Sequence, residues 1–88
     1  MTALKGILMN SVDIVLSNHA KMQMLRRRII PEDIFLVLRL GIHVDGKEED
    51  TLEACIDLEG RPLTVVYDAR RFEEHGLFYV VTVLRRWC

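Results

Sequence analysis

Eighty-eight residues, half of them hydrophobic, make a single domain (1–88) with one core and exclude a disordered chain. No apolar run approaches the roughly 20 residues that a membrane-spanning helix needs, so no membrane is expected among the partners. The formal net charge of −1 excludes the strongly basic balance of a dedicated nucleic-acid binder, but Asp45 to Glu59 carries seven acids against Lys47 alone, leaving the rest of the chain at +5, a basic body compatible with RNA on one side.

In chain order, Met1 to Asn10 lacks the charged region, apolar run and cleavage site of a signal peptide, which points to the cytoplasm. Thr2 to Met9 reads as a short first helix, with Thr2 as cap and Leu4, Ile7 and Leu8 on one face, weakened by Gly6. Val12 to Leu16 is rich in β-branched residues and predicts a strand. Ser17 then suits a helix N-cap, and the helix runs to about Arg28, with Arg26, Arg27 and Arg28 at the carbonyl end of its dipole. Pro31 opens a second helix with Glu32 and Asp33 in its first turn, and Gly41 closes it.

The second half predicts strands. Ile42 to Val44 is a short edge candidate. Leu52, Ala54, Ile56 and Leu58 alternate with Glu53, Cys55 and Asp57, giving one dry and one wet face. Glu59-Gly60-Arg61 is a hairpin connection to Leu63–Tyr67. Asp68 to Gly76 reads as a polar loop, and Leu77 to Leu84, apolar except for Thr82, as a central strand. Helices first and strands afterwards predict an α+β fold: two or three N-terminal helices packed on a three- or four-stranded antiparallel sheet. Cys55 and Cys88 are expected as two unpaired thiols of a reducing compartment.

The residues able to do chemistry gather on the Ser17 helix. At about 100° per residue, His19, Gln23, Arg26 and Arg27 fall within one arc, opposite Lys21 and Arg28. A neutral imidazole can take a proton from a ribose 2′-hydroxyl, and neighbouring guanidiniums can hold phosphate charge as it builds. On strands and their ends, Thr82 carries a hydroxyl that needs a partner, and Arg61, Arg85 and Arg86 are phosphate-binding candidates. His43 and His75 stand alone in sequence. No Cys, His or acid lies at ligand spacing, so neither a metal site nor a cofactor is expected.

His19-Ala20, Met24, Arg27 and Ile29, followed by Pro31-Glu32-Asp33-Ile34, resemble a small bacterial family of unknown-function domains with the pattern H-A-x-x-R-M-x-x-R-x-I and a P-E-D-V-type helix start. Gly60-Arg61-Pro62-Leu63-Thr64-Val65-Val66 and Val80-Val81-Thr82-Val83 are similar to its Gly-Arg hairpin and closing strand. That family is similar in fold to toxins of the RelE and BrnT type, small ribonucleases. The resemblance implies a toxin-like endoribonuclease or RNA-binding protein, with an antitoxin protein as partner. It implies catalytic roles for His19, Arg27 and Thr82, with Gln23, Arg26, Arg61 and Arg85 at the substrate. The chain departs from the pattern at Gln23, where the family usually has arginine; Arg26 or Lys21 lie near enough to replace that charge. The alternative is a non-catalytic interaction module on the same fold, forming a homodimer through its apolar final strand. Any cleavage is expected to need no metal, because no carboxylate cluster flanks the helix motif.

Overall fold

A computed structural model describes residues 14–88, so the Thr2–Met9 helix lies outside the described residues. The order is β1 (Ile14–Leu16), α1 (Asn18–Arg27), α2 (Pro31–Leu40), β2 (Ile42–Asp45), β3 (Thr51–Leu58), β4 (Arg61–Asp68), α3 (Ala69–His75) and β5 (Phe78–Leu84). The α+β layout holds, with two corrections. Among the described residues the sheet has five strands in the order β1-β5-β4-β3-β2, and it is mixed, because β1 runs parallel to β5. Asp68–Gly76 is a helix rather than a loop: the Asp68 carboxylate accepts from the Arg71 amide, and Gly76 closes the turn with φ 67°. Asp68 at the cap and Gly76 just past the end are the usual start and stop of a helix.

β5 lies between β1 and β4. It is an interior strand, with β1 beside Phe78–Val80 on one side and β4 on the other, so it does not offer a whole free edge to a homodimer.

Helix α1 starts where expected. Ser17 Oγ accepts from the Ala20 amide at 3.0 Å. It ends on Arg28, a non-glycine residue at φ 56°, whose amide donates back to the Leu25 carbonyl. Helix α2 begins at Pro31, and the Asp33 carboxylate accepts from the Ile30 amide at 3.2 Å. Gly41 ends α2 with an ordinary φ of −77°. Glycine is needed there for approach, since a Cβ would lie 2.6 Å from both the Cys55 and Val37 carbonyl oxygens. Between β3 and β4, Glu59 and Gly60 both have positive φ (53° and 82°), the conformation of the two-residue hairpin turn whose twist matches the strands.

One face of the sheet packs against the helices. Ala20, Met24 and Ile29 from the α1 region and Ile34, Val37 and Leu38 from α2 meet Ala54, Leu63, Val65, Tyr67, Val80 and Val83. His43 ties β2 to this core. Its Nε2 lies 3.0 Å from the Leu38 carbonyl oxygen, which only accepts, so Nε2 carries the proton and Nδ1 accepts from the Tyr67 hydroxyl at 2.6 Å. Burial pushes the Tyr67 phenol up to about 12.

The cysteines are not free. Cys55, fully buried on β3, forms a disulfide with Cys88, and their Cα atoms are 5.9 Å apart. The expectation of two thiols failed because a separation of 33 residues hides what the register does. Cys55 pairs with Thr64, and Thr64 with Leu84. The tail beyond Leu84 is pinned by the Thr64 hydroxyl, which donates to the Arg86 carbonyl.

Candidate functional site

The sheet face turned away from α1 and α2 carries a cleft of about 420 Å³, walled by β3, β4, β5, the acidic loop after β2 and the start of α1. Its geometry begins with an irregularity in β5. Val66 pairs with Thr82, but Tyr67 pairs with Val80, so Val81 is an extra residue in the ladder. In a regular strand Val81 and Thr82 would point to opposite faces. The bulge places both on the cleft wall, while Val80 and Val83, three apart, both reach the core.

The same bulge fixes α1. The Ser17 amide donates to the Val80 carbonyl at 3.0 Å, and the Ser17 hydroxyl donates to the Val81 carbonyl at 2.9 Å while capping α1. A single side chain thus locks the helix start to the distorted strand. His19, two residues further on, reaches the cleft rim beside Thr82. The Thr82 hydroxyl has no hydrogen-bond partner among the described residues and opens on this space.

Opposite them stands Glu53, only 3% exposed. The Arg86 guanidinium, 3.6 Å from its carboxylate, supplies the countercharge that a buried anion needs. Lys47, Glu48, Glu49 and Thr51 complete the rim. Glu53 and Lys47 had little signal in sequence: Glu53 looked like one more residue on a wet strand face and Lys47 like the lone base of a solvated loop, whereas Arg86 was among the phosphate-binding candidates and does reach the cleft.

The other expected site residues lie elsewhere. Gln23 and Arg27 are bound to each other on α1, Arg27 Nε donating to Gln23 Oε1 at 2.9 Å, and neither lines the cleft. Arg26 is exposed on the same helix. Arg61 and Arg85 share an environment with Asp33 near the α2 start; burial, then repulsion from Arg61, lowers the Arg85 pKa, and Asp33 opposes both. The structure therefore brings together His19, Thr82 and Arg86, and separates them from Arg26, Arg27, Arg61 and Arg85.

Two further features bear on what the chain can bind. Met22, Leu25 and Ile30 are more than half exposed along α1 and the following turn, Leu25 at 82%. In the sheet, the carboxylate of Glu53 and the sulfurs of Cys55 and Cys88 all lie within 4.8 Å of one another, a cluster of metal-ligating atoms that the spacing of these residues in the sequence did not disclose. No helix among the described residues is long and apolar enough to cross a membrane.

Residues 16–85 match the family described as a domain of unknown function, DUF4258, and the chain belongs to that family. No curated protein and no solved structure matches it.

Proposed function

We propose that this DUF4258 chain is a toxin-like, RelE-type RNA-cleaving protein of the bacterial cytoplasm, and that the cleft holding His19, Thr82, Glu53 and Arg86 is its active site. The observation that carries this reading is the convergence of an imidazole, a buried carboxylate, a guanidinium and a hydroxyl without a partner among the described residues on one cleft of about 420 Å³. Glu53, held beside Arg86, takes the proton of a ribose 2′-hydroxyl. The 2′-oxygen attacks the adjacent phosphorus, the bond to the 5′-oxygen breaks, and His19 in its protonated form returns a proton to that oxygen. The products are a cyclic phosphate and a free 5′-hydroxyl. Arg86 and Lys47 steady the phosphoryl oxygens, Thr82 orients them, and Arg26 and Arg27 hold the strand where it leaves the cleft along α1.

A second reading, a non-catalytic module that docks a protein such as an antitoxin, is favoured by the exposed Met22, Leu25 and Ile30. Glu48 and Glu49 on the cleft rim favour it too, because they oppose a polyanion.

The test incubates the protein with short RNAs, with and without a chelator and over a range of salt. His19→Ala is expected to slow cleavage by about 10²–10⁴, the scale of a positioned acid or base, with the chelator having no effect on the disulfide-bonded protein. RNA affinity is expected to fall steeply with salt as phosphate contacts release counterions. Equal rates in wild type and His19→Ala reject the site, and salt-independent binding without cleavage leaves the docking module.

A further inference from the structure

From a separate observation, the clustering of their donor atoms, we propose that Cys55, Cys88 and Glu53, the residue that the RNA reading uses as base, form a redox-gated site for a thiophilic divalent cation of the zinc class, assembled when the Cys55–Cys88 disulfide is reduced. These three are the group of metal-ligating side chains whose donor atoms, among the described residues, lie within 4.8 Å of one another. Glu53 and Cys55 are two apart on β3 and so share a face, both are buried, and β3 is an interior strand. Two of the three ligands are thus held by the rigid centre of the sheet. The third, Cys88, belongs to a tail that the Thr64 hydroxyl ties down at the Arg86 carbonyl, so it stays nearby when the disulfide opens.

The chemistry selects the ion. Two thiolates favour zinc-class ions over magnesium or calcium, which prefer oxygen ligands. Zinc bonds of about 2.3 Å to sulfur and 2.0–2.2 Å to oxygen place tetrahedral ligand atoms roughly 3.5–3.8 Å apart, so the two sulfurs, bonded to each other in the disulfide, must part to that distance on reduction while the carboxylate, within 4.8 Å of both, needs little movement. Charge points the same way: two thiolates and a carboxylate bring three negative charges into a buried wall, and a divalent ion together with Arg86, 3.6 Å from Glu53, neutralises them. Three protein ligands leave the fourth position to water, the pattern of an open zinc site.

The steps balance. A dithiol passes two electrons and two protons to the Cys55–Cys88 bond and becomes a disulfide itself. The two thiols then lose their protons to solvent as the cation binds. While the disulfide is intact neither sulfur can act as a thiolate ligand, so cation binding reports the redox state of the pair.

The full chain, reduced with dithiothreitol and desalted without oxygen, is titrated with Co²⁺ and back-titrated with Zn²⁺. One equivalent of Co²⁺ is expected to give thiolate-to-cobalt charge-transfer absorption that one equivalent of Zn²⁺ removes, and the oxidised protein is expected to give none. Cys88→Ser, a change in the tail whose folding circular dichroism checks, should lose about half of that intensity per metal, since one of two thiolates remains. Glu53→Gln should retain the absorption but bind at least about 10–100-fold more weakly, the loss that even an outer-shell partner causes. No absorption in the reduced wild type, equal absorption in the oxidised protein, equal intensity in Cys88→Ser, or wild-type affinity in Glu53→Gln would each overturn the site. None of these measurements involves RNA, so the two proposals fail separately.

Discussion

Removing the Cys55–Cys88 bond, by reduction or by the single-atom change Cys88→Ser, should cost this chain a large share of its stability. The disulfide closes a loop of 33 residues that contains β4, α3 and β5. In the chain-entropy account, a loop of that length restricts the unfolded ensemble by about 3.7 kcal/mol. The native state gives little of this back when the bond opens, because the tail keeps its other anchors, the Thr64 bond to the Arg86 carbonyl and the Arg86–Glu53 pair. For a domain of this size, 1 kcal/mol moves the melting temperature by about 4–8 °C, so the expected fall is about 15–30 °C. The assay compares thermal melts, with chelator present, of the oxidised protein, the dithiothreitol-reduced protein and Cys88→Ser, alongside a thiol count in denaturant. The reduced protein and Cys88→Ser should melt together, well below the oxidised form. A fall of only a few degrees would mean that the unfolded chain is not entropically restrained by the bond. Two free thiols in the unreduced protein would remove the disulfide altogether.

Ser17→Ala should cost about 2 kcal/mol: about 1 for the lost helix cap and about 1 for the bond to the Val81 carbonyl. Ser17→Asp, which can accept from the Ala20 amide but not donate to Val81, should lose only about half as much in urea denaturation; equal losses would show that the bond to the bulge adds nothing. Tyr67 sets a pH limit. Its phenol is raised to about 12 in the folded chain against about 10 unfolded, so the native state holds the proton more tightly. The resulting stability is complete below pH 10 and is lost as pH rises from 10 to 12, by roughly 2–3 kcal/mol. Denaturation followed across that range should show the decline in wild type and lack it in Tyr67→Phe; identical profiles would refute the assignment.

Local chemistry was legible wherever a residue acts on its immediate neighbours. Ser17 as a cap, Pro31 as a helix start and Glu59-Gly60 as a tight hairpin all depend on contacts within a few positions, and all appear as read; the alternation along β3 marks a strand, but the face expected to be wet buries Glu53 and Cys55. The sheet was less legible because its pairings are remote. The described part of β1, Ile14–Leu16, finds its place beside β5 through residues 64 positions away, and nothing in its own composition says parallel or antiparallel. Asp68–Gly76 looked like a loop because α3 buries none of its residues; a helix of seven residues without a buried stripe offers caps but no period. The cysteine pairing failed for the same reason as the sheet, since it is a consequence of register.

The candidate site was half legible, and the division has a physical cause. His19 was found because it lies two residues past a cap, where helix geometry is fixed by sequence. Arg27 was grouped with it by the arc of an isolated helix, but on the folded chain that arc is spent locally: Arg27 reaches back one turn to Gln23. Glu53 was passed over because a carboxylate alternating with Leu52 and Ala54 reads as solvent-facing. It is buried all the same, with a tail that brings Arg86 across the sheet as countercharge, and the β-bulge at Val81, which turns two consecutive residues of β5 towards the same face, shapes the cleft it shares. A bulge leaves no mark on hydrophobic alternation when the strand is apolar on both faces, as Val80-Val81-Thr82-Val83 is. The one polar residue in that run, Thr82, was the available clue, and its meaning is that the strand changes face there, so the residue that interrupts the apolar pattern is also the one that opens onto the cleft.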